Sequence, residues 1–401
     1  MFTNVNLQMY TFVLLIFLMT SEQLTDLYNS LKEKSLFGRY ITSKIIEGLL
    51  DNFSSVFQVS TIGYSVEHRP IFSLKVGQGD TKILLWSQMH GNESTTTKAL
   101  FDVLNGFSKG KFSDILENCT LQIIPILNPD GAARYTRVNA NEVDLNRDAQ
   151  NLTQPESKVL RACFDSFMPH YCFNLHGQRT IFGAGRTGNS ATLSFLSPAE
   201  DTECTLTVTR KKAMSVIALI NEQIQKDLPN AIGRYDDGFN INCVGDTFQS
   251  LGVPTILYEA GHYQNDYERE ETRFFIFKSL IYGLKSTATG VRIDDFKSYF
   301  EIPQNEKNFY DVIIRNSKLL DNSKSTVDIA IQHKEVLEDS IVKFIPFVEK
   351  VENLENYFAH NNIDAKGALV LDQDNNAIEV SNEIVFVMLN NRKILIKSYT
   401  F

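Results

Sequence analysis

From about residue 56 to residue 290, short apolar runs alternate with stretches of helical spacing. TKILLWSQ (81–88) reads as a buried strand, and Leu100, Val103, Leu104 and Phe107 then recur at the interval of one helix face. LQIIPIL (121–127) predicts a second strand, closed by a turn at Asn128-Pro129-Asp130-Gly131. Gln154 to Met168 is helical through Val159, Leu160, Cys163, Phe164 and Phe167, and Pro169 stops it. HYCFNL (170–175) predicts a third buried strand, residues 205–228 a long helix, and VPTILY (253–258) a fourth strand. A last helix runs through Phe274, Phe277, Leu280 and Leu284. Strands alternating with helices imply an α/β fold, a mainly parallel mixed sheet with helices on both faces.

After Gly290 the pattern changes to short β-like runs: YDVII, VDIAI, GALVLD, EIVFVML and KILIKSY. Residues 372–376 (DQDNN) and 389–392 (LNNR) read as hairpin turns. The expected organisation is a catalytic-type domain over 20–288 and a smaller, mostly β domain over 291–401, packed together without a low-complexity linker. Tyr10 to Met19 is an apolar run shorter than the ~20 residues that span a bilayer. It has the length of a signal-peptide core, but no Lys or Arg precedes it and no small-residue cleavage site follows. Thr20-Ser21-Glu22-Gln23 instead opens a helix through Leu24, Leu27 and Leu31 with a capping box. Residues 1–19 are thus expected to be either a signal or an extension ahead of a start at Met19, with a cytoplasmic protein in the second case and an exported one in the first.

Composition narrows the field. In the 401-residue chain, 43% apolar and 22% charged residues are those of a globular protein, and a net charge of -9 argues against a nucleic-acid partner. Five cysteines, an odd number without CxxC spacing and mostly inside apolar segments, argue against a disulfide framework and for a reducing compartment.

The chemistry lies at the strand ends. The first strand delivers His90 and Glu93, and the second leads to Arg134, Arg137, Asn146 and Arg147. The third ends in His176 and the fourth in Glu259. Open α/β sheets bind ligands beyond the carboxyl ends of their strands, so an active site is expected there. His90, Glu93 and His176 form a His₂Glu set, the three-ligand arrangement of a catalytic zinc, and no cysteine lies near them. One zinc ion would polarise a carbonyl and lower the pKa of its water from about 15.7 to about 7. Glu259 suits the general base, Arg137 a developing oxyanion, and Asn146 with Arg147 a substrate carboxylate.

HGNE (90–93), NPDG (128–131), TRVNANEVDLNRD (136–148), NLHG (174–177) and Glu259 in LYEAG resemble, in order, the motifs of the M14 family of zinc metallocarboxypeptidases. The resemblance covers roughly residues 60–285. It implies zinc ligation by His90, Glu93 and His176, catalysis by Glu259 and Arg137, and capture of the substrate's terminal carboxylate by Asn146 and Arg147. The implied substrate is a peptide or small amide with a free carboxylate. The compact His90–His176 interval is closer to bacterial and cytosolic-type members than to secreted digestive ones. Tyr235, in GRYDDGFN, is offered for the family's substrate-capping tyrosine, and Val244 or Asp246 for its specificity pocket. The β-rich domain is outside the family's core.

Other readings stay open. Arg134 rivals Arg137, and Arg147 could pair with Asp144 or Asp148. Glu259 and His262 could mimic a second metal pair, although His262 reads better as a pocket-rim or supporting residue. An aspartoacylase- or succinylglutamate-desuccinylase-like amidohydrolase would share the zinc motif and a C-terminal β domain. A catalytically inactive binding module would keep the fold alone. Oligomeric state is not legible.

Overall fold

The computed structural model describes residues 21–320, 325–390, 392–396 and 398–401. The apolar run 10–19 lies outside them. The helix expected there does form, as α1 (Ser21–Leu31), and buries Leu24, Tyr28 and Leu31, while Thr20 of the expected capping box lies outside the described residues. Helix α2 (Ser43–Phe53) follows.

An eight-stranded sheet forms the first body. Its strands are β1 (Gln58–Tyr64), β2 (Pro70–Gly77), β3 (Thr81–Ser87), β4 (Cys119–Ile124), β5 (Tyr171–Gly177), β7 (Leu193–Leu196), β8 (Ile232–Arg234) and β9 (Thr255–Ala260). They lie in the order β1-β2-β4-β3-β5-β9-β7-β8. The centre, β4-β3-β5-β9, is parallel. The expectation of a mainly parallel sheet holds there, whereas β1, β2 and β7 pair antiparallel with their inner neighbours. The two outer strands β1 and β2 form a hairpin, so no crossover helix separates them and the αβ alternation carries no sign of them.

Strand β3 shows why both faces are covered. Ile83 and Leu85 enter the larger core, which the helices α1, α2, α3 (Thr95–Ser108), α7 (Val208–Ile224) and α9 (Glu270–Thr289) share. Leu84 and Trp86, one residue out of phase, enter a second core with Leu160 and Phe164 of α6 (Pro155–Phe167) and Phe248 of α8 (Val244–Ser250). A side-chain period of two makes a strand apolar throughout when both its faces are buried.

Two local readings are corrected. The run 121–127 leaves the ladder after Ile124. NPDG does not close a turn but starts a short helix, α5 (Pro129–Arg134), with Asn128 as N-cap accepting from the Gly131 amide at 2.8 Å and Pro129 in its first turn. Asn-Pro is as good a helix start as a turn, because proline's fixed φ suits the first helical position. A short helix, α4 (Ser113–Asn118), was likewise not foreseen.

Beyond α9, a 3-10 helix (Ile293–Glu301) buries Tyr299 in the larger core, and β10 (Asn305–Lys307) pairs with β6 (Phe182–Ala184). The β-rich body follows. Strands β11 (Phe309–Ser317), β12 (Val327–Glu338), β13 (Ile341–Glu352), β14 (Phe358–Asp364) and β18 (Tyr399–Thr400) form one sheet in the order β14-β11-β12-β13-β18. A second holds β15 (Val370–Leu371), β16 (Phe386–Leu389) and β17 (Arg392–Leu395). LNNR forms the expected tight hairpin, with Leu389 opposite Arg392. DQDNN forms a turn closed on Asp372, but fourteen residues separate β15 from β16, so it is not a tight hairpin. Among the described residues no helix is long and apolar enough to cross a membrane, and all five cysteines are free thiols.

Candidate active site

The carboxyl ends of β3, β5 and β9 open into one cavity of about 500 Å³. His90, Glu93, Arg137, Asn146, Arg147, His176, Tyr235 and Glu259 all line it. Register accounts for the pairing of the two key groups: His176 on β5 and Glu259 on β9 are direct partners across the parallel ladder. Side chains at partnered positions of adjacent strands emerge on the same face.

The loop after β3 carries His90 and Glu93. It turns tightly, with the Glu93 amide donating to the His90 carbonyl at 3.1 Å. Gly91 is required there, because a Cβ would lie 1.9 Å from the Gly131 carbonyl carbon of α5. That close approach brings the 90s loop against the helix that leads to Arg137.

One donor atom each from His90, Glu93 and His176 falls within 4.8 Å of the others. His90 Nε2 sits 3.1 Å from Asp144 Oδ1, which assigns that nitrogen the ring proton. His90 Nδ1 then presents its lone pair to Glu93 Oε1 at 2.8 Å and to His176 Nδ1 at 3.1 Å. His176 Nδ1 is 2.9 Å from Glu93 Oε2, which also accepts from the Gly177 amide. His90 and His176, both buried, and the partly exposed Glu93 thus converge closely enough to share a cation. The nitrogen and carboxylate donors fit zinc.

Electrostatics separate the two carboxylates. Burial opposes it, but His90 and His176 hold the Glu93 carboxyl well below the usual carboxylate range. Burial, with Glu93 adding to it, pushes Glu259 well above that range, against Arg137 and Arg269. Its Oε2 is buried without a hydrogen-bond partner. Cationic charge on the His₂Glu set would oppose that rise. Two carboxyls in one cavity are thus driven apart in their readiness to ionise. Burial also opposes ionisation of Asp144, but His90 and Arg137 hold its carboxyl low.

Arg137 donates Nε–H to Asp144 Oδ2 at 3.0 Å, and its Nη1 lies 3.2 Å from His90 Nδ1. Its rival Arg134 points away, into an ion pair with Glu67, and does not line the cavity. Asn146 Oδ1 accepts from the Val244 amide at 3.0 Å, which seats it against α8. Arg147 is exposed and its guanidinium donates to the Asn146 carbonyl at 2.8 Å. Neither of its suggested partners takes it: Asp144 holds His90 and Arg137, and Asp148 accepts the amides of Thr153 and Gln154. Tyr235 packs on Phe182 at 5.3 Å between centroids. Of the two specificity candidates, Asp246 lines the cavity, with its acid constant raised by burial to about 6, while Val244 lies in the apolar core. Cys243 also lines the cavity, a thiol that chain distance hid, although it is outside the His₂Glu group.

A model of the zinc carboxypeptidase family matches residues 42–273, more than half of the chain. The chain belongs to the zinc carboxypeptidase family. Its relatives include carboxypeptidase SOL1 of Arabidopsis thaliana, 28% identical over 163 residues, covering 34% of this chain and 33% of the relative. Carboxypeptidase D of Mus musculus is 29% identical over 140 residues, covering 29% of this chain and 10% of the relative. The chain thus spans a third or less of these relatives' own lengths. Among solved structures, a metallo-carboxypeptidase from Burkholderia cenocepacia shares the fold, with a TM-score of 0.50 at 16% identity, over 62% of this chain and 69% of that one. The match does not favour the amidohydrolase or inactive-module alternatives.

Three residues of this carboxypeptidase-family site were missed or misplaced. Asp144 was weighed only as a partner for Arg147, although its place seven residues after Arg137 in one loop was visible. Arg269 donates to the carbonyls of Ala260 and Gln178 at 2.8 and 3.0 Å and ties the ends of β9 and β5 together. No local pattern marks it. His262 is not at the pocket rim. It is buried between Tyr267 and His360, with ring centroids 4.7 and 4.3 Å away, against the β-rich body. Among the described residues it belongs to no metal-holding group, so the second metal pair does not form.

Asp144→Asn tests the orienting contact. It is expected to weaken zinc binding by roughly 10–100-fold, because outer partners fix the tautomer of a ligating histidine. Competition against a chromophoric chelator measures it, and unchanged affinity would remove Asp144 from that role.

Proposed function

We propose that the protein is a zinc-dependent metallocarboxypeptidase that hydrolyses the C-terminal amide bond of a peptide or small amide bearing a free carboxylate. His90, Glu93 and His176 would hold one zinc ion. Bound there, zinc supplies Lewis acidity to the carbonyl and to water. The observation that carries the reading is Glu259, whose Oε2 is buried with no hydrogen-bond partner among the described residues, lining one cavity with the converging donor set.

Each remaining residue has a task in that reaction. Glu259 takes a proton from the attacking water and returns it to the leaving amine. Arg137, oriented by Asp144, donates to the oxyanion that develops on the scissile carbonyl. Arg147, exposed and with one nitrogen donating to the Asn146 carbonyl, offers its remaining guanidinium N–H groups to the terminal carboxylate, and Asn146, anchored through its Oδ1, keeps its amide N–H groups for the same group. Tyr235 covers the bound residue. Asp246, ionised at neutral pH, gives the cavity a preference for a cationic side chain or amine.

The test is release of a terminal amino acid from a peptide library by zinc-loaded protein, with C-terminally amidated copies as controls. Amidated peptides should not be cut. Arg147→Ala should raise KM by about 10–100-fold, the equivalent of the ~1.5–3 kcal/mol of a charged hydrogen bond, with kcat changing less. Equal cleavage of amidated and free peptides would end the carboxypeptidase reading.

A further inference from the structure

The β-rich body reaches the site through one carboxylate. Glu335, on β12, lines the active-site cavity together with Arg39. Arg39 Nη2 donates to both oxygens of Glu335, at 3.1 Å each, and the Tyr135 hydroxyl donates to Oε2. Arg39 is buried, 7% exposed, with its guanidinium 5.6 Å over the ring of Phe344 on β13. Nearly three hundred residues separate the partners, so this contact exists only when the two bodies dock.

From that contact two chains of bonds lead back to the site. The Arg39 carbonyl accepts from Ser94 Oγ at 2.5 Å, next to Glu93. Two residues on, the Ile41 carbonyl accepts from Gln88 Nε2 at 3.0 Å, and the same amide donates to Gly91 at 2.8 Å. Residues 39–41 are therefore a strap across the loop that carries His90 and Glu93. Tyr40 donates to the Ala133 carbonyl at 2.8 Å, and Tyr135 sits in the left-handed C-cap of α5, two residues before Arg137. Glu335 thus grips both the strap over the His90–Glu93 loop and the loop that presents Arg137.

We propose that Glu335 is a positioning residue for the zinc site, supplied by the accessory β body, which holds the His90–Glu93 loop through Arg39 and the Arg137 loop through Tyr135. The inference rests on zinc being held by His90, Glu93 and His176. Arg39 would otherwise be a buried, uncompensated cation, free to leave the wall, and the strap would follow it. A loosened outer support weakens a metal site without touching a ligand.

The experiment uses the full chain with Glu335→Ala, Arg39→Ala and the double variant, and Glu335→Gln alongside. Zinc affinity is read by chelator competition, folding by thermal melting, and kcat and KM on the best library peptide. Glu335→Ala is expected to weaken zinc binding about tenfold and to lower kcat more than it raises KM. In the Arg39→Ala background the same change should cost little more, because both act through one contact. Glu335→Gln, which keeps an acceptor, should fall between. It carries the test by the same readouts should the alanine variant not fold. Unchanged zinc affinity, or fully additive losses, would overturn the proposal. If wild-type protein binds zinc but releases no terminal residue, the peptidase reading fails while the affinity comparison still decides the role of Glu335.

Discussion

Glu259→Gln should lower kcat by about 10²–10⁴-fold while zinc stays bound at full stoichiometry. Glutamine keeps the shape and volume of the side chain on β9, so the ladder to His176 and the packing around it are unaffected. What it loses is the capacity to accept and return a proton. The environment already presses on that capacity, since burial and the Glu93 charge both oppose ionisation of Glu259. Zinc content by elemental analysis and single-turnover hydrolysis separate the two functions. Zinc loss in this variant would make Glu259 a ligand, and retained turnover would move the proton carrier elsewhere in the cavity.

The largest stability effect is expected at Asp102→Ala. Asp102 on α3 and Arg273 on α9 are both fully buried, and the guanidinium meets the carboxylate through two parallel bonds of 2.7 and 2.6 Å. Asp102 also accepts the Glu33 amide, while Arg273 donates to the carbonyls of Leu36 and Glu33. The pair therefore pins the segment after α1 to both helices. Removing the carboxylate leaves a buried guanidinium without its main counter-charge, which costs about 3–5 kcal/mol. Replacing both residues together, Asp102→Leu with Arg273→Met, should cost less than the single change, because no charge is then stranded. Denaturant midpoints of the two variants check the order. A double variant less stable than the single one would show that the carbonyl contacts of Arg273, not the ion pair, hold the segment.

The parallel centre of the sheet was legible because its strands are buried on both faces. ILLW, CFNL and TILY are mostly apolar runs that suit such a strand, and each leads within a few residues to an ionisable group. The edges were not legible. β1 pairs as a hairpin with β2 and buries none of its residues fully, so its pattern QVSTIGY carries little apolar signal. β13 carries Pro346 in its middle, where proline removes a ladder donor and reads as an interruption. In the site, His90, Glu93, His176 and Glu259 could be named because each sits at the carboxyl end of a strand or a few residues beyond it. Cys243 reaches the cavity over a long loop, and its place in the wall, like the choice of Asp246 over Val244, depended on how α8 docks.

By itself the sequence determined the donor chemistry: two imidazoles, two carboxylates and arginines, all delivered to one edge of a sheet. It did so because strand periodicity and loop length are local properties, set within about ten residues. Tertiary structure alone decided three things. It put Asp144 on His90 and so chose the tautomer, and it left Glu259 without a partner. It also brought Glu335 across the chain onto Arg39. Those contacts depend on how elements far apart in the chain pack together, and no pattern along a chain encodes the distance between residues 39 and 335.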